Sequence, residues 1–174
     1  LRNALADFER TARLFAPADV TRIKVAMESY LEWMLDEFEP SHDHFRLIGE
    51  DNLRRYLAVP NMRLRVAAED TPWEIFARAA AARAAGCRVV VSEPPALPET
   101  PRHAVELLDA LTDNWAGAIE FVEETDEQLA EAIRAGSVGR LRYADRSRVP
   151  YAIRTAATES YVYVADAPVL AHGR

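Results

Sequence analysis

Five short runs of strand-type residues recur along this chain, each separated from the next by one helix-type segment, and that alternation constrains the fold more than any other feature. Residues 62–66 (Met-Arg-Leu-Arg-Val) alternate apolar and polar side chains with period two, and residues 87–91 read as a continuous apolar strand of the kind buried on both faces. Three more runs follow at 118–122, 141–144 and 161–165. The segments between them carry helix punctuation. Thr71-Pro72-Trp73-Glu74 is a capping box with proline at the first helical position, and it opens an alanine-rich helix that runs through Ala85 and is closed by Gly86. So small a helix surface predicts that whatever lies over it comes close. Thr100-Pro101 opens a second helix to about Trp115, Thr125 with Gln128 caps a third that ends at Gly136, and a fourth spans Ser147 to about Glu159. Strands joined by single helices at this spacing predict a Rossmann-like α/β domain at residues 50–174. Its sheet should be doubly wound, mostly parallel, five-stranded and covered on both faces.

A helical N-terminal arm and linker, residues 1–49, should precede that domain. Leu1, Leu5, Phe8, Ala12 and Phe15 fall on one face of a short amphipathic helix. Pro17 sits where a second helix begins, Asp19 lies in its first turn, and Val20, Ile23, Met27, Tyr30, Met34 and Phe38 form one apolar stripe. Trp33 and Leu35 widen the stripe beyond what one seam needs. It can be read as a docking surface for another domain or as packing on the chain's own core, and the second is the expectation. Residues 40–49 read as a polar connector.

Composition narrows the partners. A formal charge of −7 over 174 residues argues against a nucleic-acid backbone as the main ligand, which needs a basic surface to release counterions. No apolar run approaches the roughly 20 residues that cross a bilayer. The lone Cys87 forbids an internal disulfide, which points to a reducing, cytoplasmic compartment. Of 21 cationic residues only Lys24 is a lysine, so Schiff-base chemistry has almost no candidate. The start at Leu1 and the apolar run just before Arg174 read as a piece of a longer polypeptide.

In an open α/β sheet, ligands bind beyond the carboxyl ends of the strands. The loops there are Ala67-Ala68-Glu69-Asp70, Ser92-Glu93-Pro94-Pro95, Glu123-Glu124, Asp145-Arg146 and Asp166-Ala167-Pro168, and none contains a glycine. A phosphate cradle needs a backbone that can approach the anion closely and a helix end left positive, so nucleotide binding is disfavoured on steric grounds. The carboxylates in these loops add an electrostatic reason. Gly86, Gly117 and Gly136 belong to the opposite edge, where they end helices. Catalytic candidates are few. Cys87 follows a helix-ending glycine and is expected to be a small packed thiol. His42-Asp43-His44 offers two imidazoles and a carboxylate to a metal but lacks a third fixed ligand in sequence. Glu123-Glu124 resembles an acid/base pair only if it is shielded from water, and His103 and His172 have no identifiable partners. From the residues alone, no catalytic, cofactor-binding or metal site is expected.

One stretch says more. Tyr30, Phe38, His42-Asp43 and above all Leu47-Ile48-Gly49-Glu50-Asp51-Asn52-Leu53-Arg54-Arg55-Tyr56 resemble a segment in the C-terminal portion of bacterial bifunctional proline dehydrogenase / 1-pyrroline-5-carboxylate (L-glutamate-γ-semialdehyde) dehydrogenases, the proline utilisation A type. In that family a Gly-Glu/Gln-x-Asn-x-x-x-(Arg)-Tyr-like run marks the passage out of the catalytic aldehyde dehydrogenase domain. The resemblance continues through residues 79–92, 117–125 and 163–169 and covers about residues 20–174. It implies a second, aldehyde-dehydrogenase-like Rossmann domain. An active aldehyde dehydrogenase has a Lys-Pro-Ser-like motif after the strand matching residues 87–91, to hold the adenosine ribose, and Ser92-Glu93-Pro94 stands there instead. The general-base glutamate and the nucleophilic cysteine loop have no counterpart.

The resemblance therefore implies a non-catalytic structural domain with no cofactor of its own, in a parent enzyme that uses NAD and FAD. It would pack on the other domains of that parent, cover the channel for the intermediate and support a homo-oligomer, with neither nucleic acid nor membrane as partner. The reading kept beside it is a small-molecule-sensing regulatory module whose acidic edge takes a cationic metabolite or divalent ion. An independent nucleotide-dependent enzyme is disfavoured by the absence of loop glycines.

Overall fold

A computed structural model describes residues 16–112 and 117–171. The proposed first helix, His172 and the end of the second predicted domain helix at Trp115 lie outside the described residues. Helix α1 (Pro17–Trp33) starts with proline in its first turn, as expected, and continues into one π-helical turn, Met34–Phe38, closed by the Glu39 N–H donating to the Met34 carbonyl at 2.8 Å. The predicted polar connector is not structureless. His42–Asp43 (β1) and Leu53–Arg54 (β2) form a two-residue antiparallel ladder.

The α/β repeat then follows as β3 (Met62–Arg65), α2 (Pro72–Ala84), β4 (Val89–Glu93), α3 (Glu99–Leu111), β5 (Ile119–Glu123), α4 (Asp126–Arg134), β6 (Arg140–Arg142), a 3-10 turn at Arg146–Arg148, α5 (Tyr151–Glu159) and β7 (Tyr163–Ala165). All five sheet strands are parallel, in the order β5-β4-β3-β6-β7. The chain winds outward from β3 to β5, returns to lay β6 against the other side of β3, and winds outward again to β7. Loops from β3 and β6 therefore diverge at one point of the carboxyl edge, and a crevice opens between them.

Both expected capping boxes form. Thr71 accepts from the Glu74 N–H at 3.3 Å while Glu74 accepts from the Thr71 N–H at 2.8 Å, and Thr125 and Gln128 repeat the exchange at the start of α4. Gly86 and Gly136 take left-handed backbone (φ 71° and 75°) as the helices before them end, and the next N–H reaches back to Ala82 and Ala132. After α5 the same turn is made by Tyr161 at φ 56°, so no glycine marks that end. The predicted helix from Ser147 is broken in two because Pro150 serves as N-cap of α5.

Two apolar cores lie on the two faces of the sheet. One joins Leu64, Val66, Val89 and Val91 to α2, α3 and, through Ile23, Ala26 and Met27, to α1. The α1 stripe therefore packs on the chain's own core, and Arg22 stacks its guanidinium 4.2 Å above the Trp73 ring. The alanine-rich α2 is what allows α1 to lie close. The second core gathers Leu129, Ile133, Leu141, Tyr143 and Ile153 beneath α4 and α5. Cover is less complete over β5, an edge strand on which Glu120 and Glu123 are exposed.

Candidate functional site

At the crevice the period-two pattern of β3 has a consequence that differs from its usual meaning. Alternation normally sends the polar set to water, but both faces of this sheet are covered, and Arg65 is only 2% exposed. Its guanidinium donates Nη1 to Ser92 Oγ and to the Glu124 carbonyl, both at 2.9 Å, and Nη2 to Asp126 Oδ1 at 2.7 Å. Arg65 thereby ties together the carboxyl ends of three adjacent strands and the first turn of α4. Two residues back, Arg63 lies 3.5 Å from the buried Glu124 carboxylate.

A second arginine closes the other wall. Arg78, buried in the middle of α2, donates to the Glu74 and Arg65 carbonyls at 2.9 Å and forms a salt bridge to Asp70. Asp70 is also buried. It accepts the Ala67 N–H at 3.1 Å and receives Arg148 Nη1 at 2.7 Å, while the same nitrogen reaches Glu74 at 2.9 Å. Burial pulls the Arg78 guanidinium below its ordinary pKa against the opposing pull of Asp70. Burial also works against charge on Arg148, but its bonds to Glu74 and Asp70 outweigh that and hold its proton more tightly than usual. For Glu74, burial favours the neutral acid, yet the bonds from Arg148 and Thr71 prevail and keep its carboxyl below the usual range.

These contacts correct two expectations. Asp70 and Glu124, which the loop composition suggests are solvated, are buried. Nor is the edge simply acidic, because Arg65, Arg78 and Arg148 stand among Asp70, Glu74 and Asp126 and neutralise them. Charge at this edge therefore does not by itself exclude an anion. The steric objection is stronger than composition suggested. The space left between Arg65, Ala67, Pro94, Tyr143 and Arg148 is about 160 Å³, against the roughly 300–1,000 Å³ of ordinary ligand pockets. At the start of α2 the Glu74 N–H is taken by the Thr71 hydroxyl and the Thr71 N–H by the Glu74 carboxylate. A dinucleotide's phosphates would have to displace an internal ion-pair network, so the residues present do not fit that cofactor. Asp70, Glu74 and Asp126, the carboxylates nearest the crevice, are likewise engaged by arginines.

Other candidates are scattered. His42 and His44 stack with ring centroids 5.5 Å apart, and His42 Nε2 lies 2.6 Å from the Glu37 carbonyl oxygen. Among the described residues no three His, Cys, Asp or Glu side chains converge to hold a metal ion. Cys87 is buried, His103 lies 3.7 Å from Glu106 on an exposed stretch of α3, and Glu123 is exposed. Sequence reasoning missed the three arginines. Arg78, set among alanines in the middle of α2, is the one signal that could have pointed to them.

Among the described residues three buried side-chain atoms at this edge make no hydrogen bond: Glu93 Oε2, Glu124 Oε1 and the Tyr143 hydroxyl. The Tyr143 hydroxyl is buried with no hydrogen bond, and burial pushes its phenol well above the usual value. An unmade buried bond costs about 1–3 kcal/mol, so Tyr143→Phe is expected to leave stability unchanged or to raise it by about 1 kcal/mol. A urea midpoint lower than that of the parent chain would contradict the assignment.

No family model matches the chain, and no curated protein matches it in sequence. Its fold is shared with solved aldehyde dehydrogenases. The structure of succinic semialdehyde dehydrogenase from Streptococcus pyogenes in complex with NADP+ superposes with a TM-score of 0.62 at 15% identity, over 84% of this chain and 32% of that one. An aldehyde dehydrogenase from Bartonella henselae gives 0.61 at 15% identity, over 84% and 30%. The NAD+ complex of the Bacillus cereus aldehyde dehydrogenase gives 0.59 at 15%, over 84% and 29%. The chain therefore spans about three-tenths of the length of these enzymes and has an aldehyde-dehydrogenase-like, Rossmann-type fold.

Proposed function

We propose that the chain is a non-catalytic structural domain of a larger cytoplasmic oxidoreductase of the bifunctional proline dehydrogenase / 1-pyrroline-5-carboxylate dehydrogenase type, with residues 1–49 as its arm and linker. The parent's NAD and FAD belong to its catalytic modules. The observation that carries the reading is the filled crevice, where Arg65, Arg78 and Arg148 with their carboxylates occupy the place at which this fold class takes a dinucleotide. The proline-catabolic assignment draws on the run from Gly49 to Tyr56. Contact with the parent's other modules, over the intermediate channel or in a homo-oligomer, is supported by the apolar side chains that the linker exposes, Phe45, Leu47 and Ile48. Isothermal titration of the chain with NAD+ and NADP+ tests the central claim. No saturable binding tighter than about 1 mM is expected, and a micromolar dissociation constant for either dinucleotide would falsify it.

A further inference from the structure

The opposite, amino-terminal edge of the sheet carries a cleft of about 280 Å³ that the reading above does not use. It lies between the end of α1 and the end of α2. Its floor is low because Ala81, Ala84 and Ala85 offer nothing beyond a methyl group, and its walls are aromatic: Tyr30, Trp33, Phe38 and Tyr56. Contacts of the wall residues with one another and with neighbours fix the walls in place. The Tyr56 hydroxyl donates to Glu37 at 3.1 Å, the Phe38 ring meets the Tyr56 ring edge to face at 4.9 Å, and the Tyr30 hydroxyl bonds the Leu170 carbonyl. The π-helical turn keeps Met34 and Phe38 both on the cleft, where the flexible Met34 can adapt to an occupant.

Among the described residues Arg140 is the one charged residue that lines this cleft. Arg65, Arg78 and Arg148 in the crevice each have a carboxylate within ion-pair distance, whereas no carboxylate of the described residues lies within 4.0 Å of Arg140. Its guanidinium stacks 5.2 Å from the Tyr163 ring centroid. Stacking engages the flat face and leaves the N–H edge, the part that grips a carboxylate in two parallel bonds, without an acid. An apolar, preformed cavity with a single cationic group at its wall selects an amphiphile whose body is apolar and whose head is anionic.

We propose that the cleft binds a medium-chain apolar carboxylate, its hydrocarbon body between the alanine floor and the aromatic wall and its carboxylate on Arg140. This site is independent of the crevice at the other edge, so its test does not bear on the structural role proposed above. Titration calorimetry of the full chain with decanoate and with uncharged 1-decanol separates the contributions of head and body. Decanoate is expected to bind saturably and at least about tenfold more tightly than decanol, the value of a charge-assisted bond. Arg140→Gln should erase that tenfold difference while leaving decanol binding within about twofold. Arg140→Lys should restore part of it, and Ala84→Phe, which fills the floor, should abolish binding of both. Circular dichroism and thermal melting of each variant verify that it is folded, and Arg140 is partly exposed, so Arg140→Gln tests the head group without opening the core. The proposal fails if decanoate shows no saturable binding below about 1 mM, if decanol binds as tightly as decanoate, or if Arg140→Gln leaves decanoate affinity unchanged.

Discussion

Asp70→Ala is expected to destabilise the fold by about 3–5 kcal/mol, the cost of leaving a buried ion without its partner. Asp70 is the shared acceptor of two arginines and of the Ala67 N–H, and its side chain has no exposure. Without it Arg78, also buried in α2, keeps its carbonyl partners but loses its counter-charge, and Arg148 keeps only Glu74. Urea unfolding monitored by circular dichroism measures the loss. A drop of less than about 1 kcal/mol would show that the network is ordinary surface electrostatics. Replacing both members of the pair, as Asp70→Leu with Arg78→Met, should cost much less than the single change, because it removes both charges together. The same network is what occupies the crevice, so a variant that folds without it is also the natural candidate in which to look again for dinucleotide binding.

Ile23→Ala is expected to cost about 2–5 kcal/mol, the range for truncating a fully buried aliphatic side chain. Ile23 comes from α1, yet it belongs to the core that includes Leu64, Val89 and Val91 of the sheet. The loss should therefore appear in the unfolding of the sheet and not in a separate early transition. Tryptophan fluorescence and far-ultraviolet circular dichroism should shift together to a lower denaturant midpoint. A sheet transition unmoved by the substitution would mean that α1 is an arm laid over a domain complete without it.

Much of the fold is legible because its signals are local. Thr71 with Glu74 and Thr125 with Gln128 make capping bonds within four residues, so the helix starts can be read directly. Gly86 and Gly136 turn through left-handed backbone for which glycine has no steric cost. Errors arise where a local signal has a non-local competitor. Pro150 ends one short turn and starts α5, splitting a helix that apolar spacing alone would run together. Tyr161 makes a helix-ending turn that usually calls for glycine. The connector at residues 40–49 contains β1 because β2, some ten residues later, pairs with it. Of the candidate site, the absence of loop glycines was visible, whereas the arginines that fill the crevice were not. Alternation along β3 gives Arg65 no partner within reach along the chain, and only the cover over that face and the neighbouring strand ends bury and pair it.

The sequence by itself determined the class: five strand segments with helices between them, their caps and stops, and loops too poor in glycine to cradle a phosphate. Periodicity and capping are decided by neighbours within a few residues, and those are written along the chain. The tertiary structure decided the strand order and, with it, the meaning of the charges. Setting β6 beside β3 brings Arg148 to Asp70 across 78 residues of sequence, and stacking β4 and β5 on the other side of β3 brings Arg65 to Asp126 across 61. The place of β6 beside β3 also brings Arg140 to the aromatic cleft at the other edge. Whether a charged side chain is solvated, paired or left facing a cavity depends on what the fold places against it, and composition cannot carry that information.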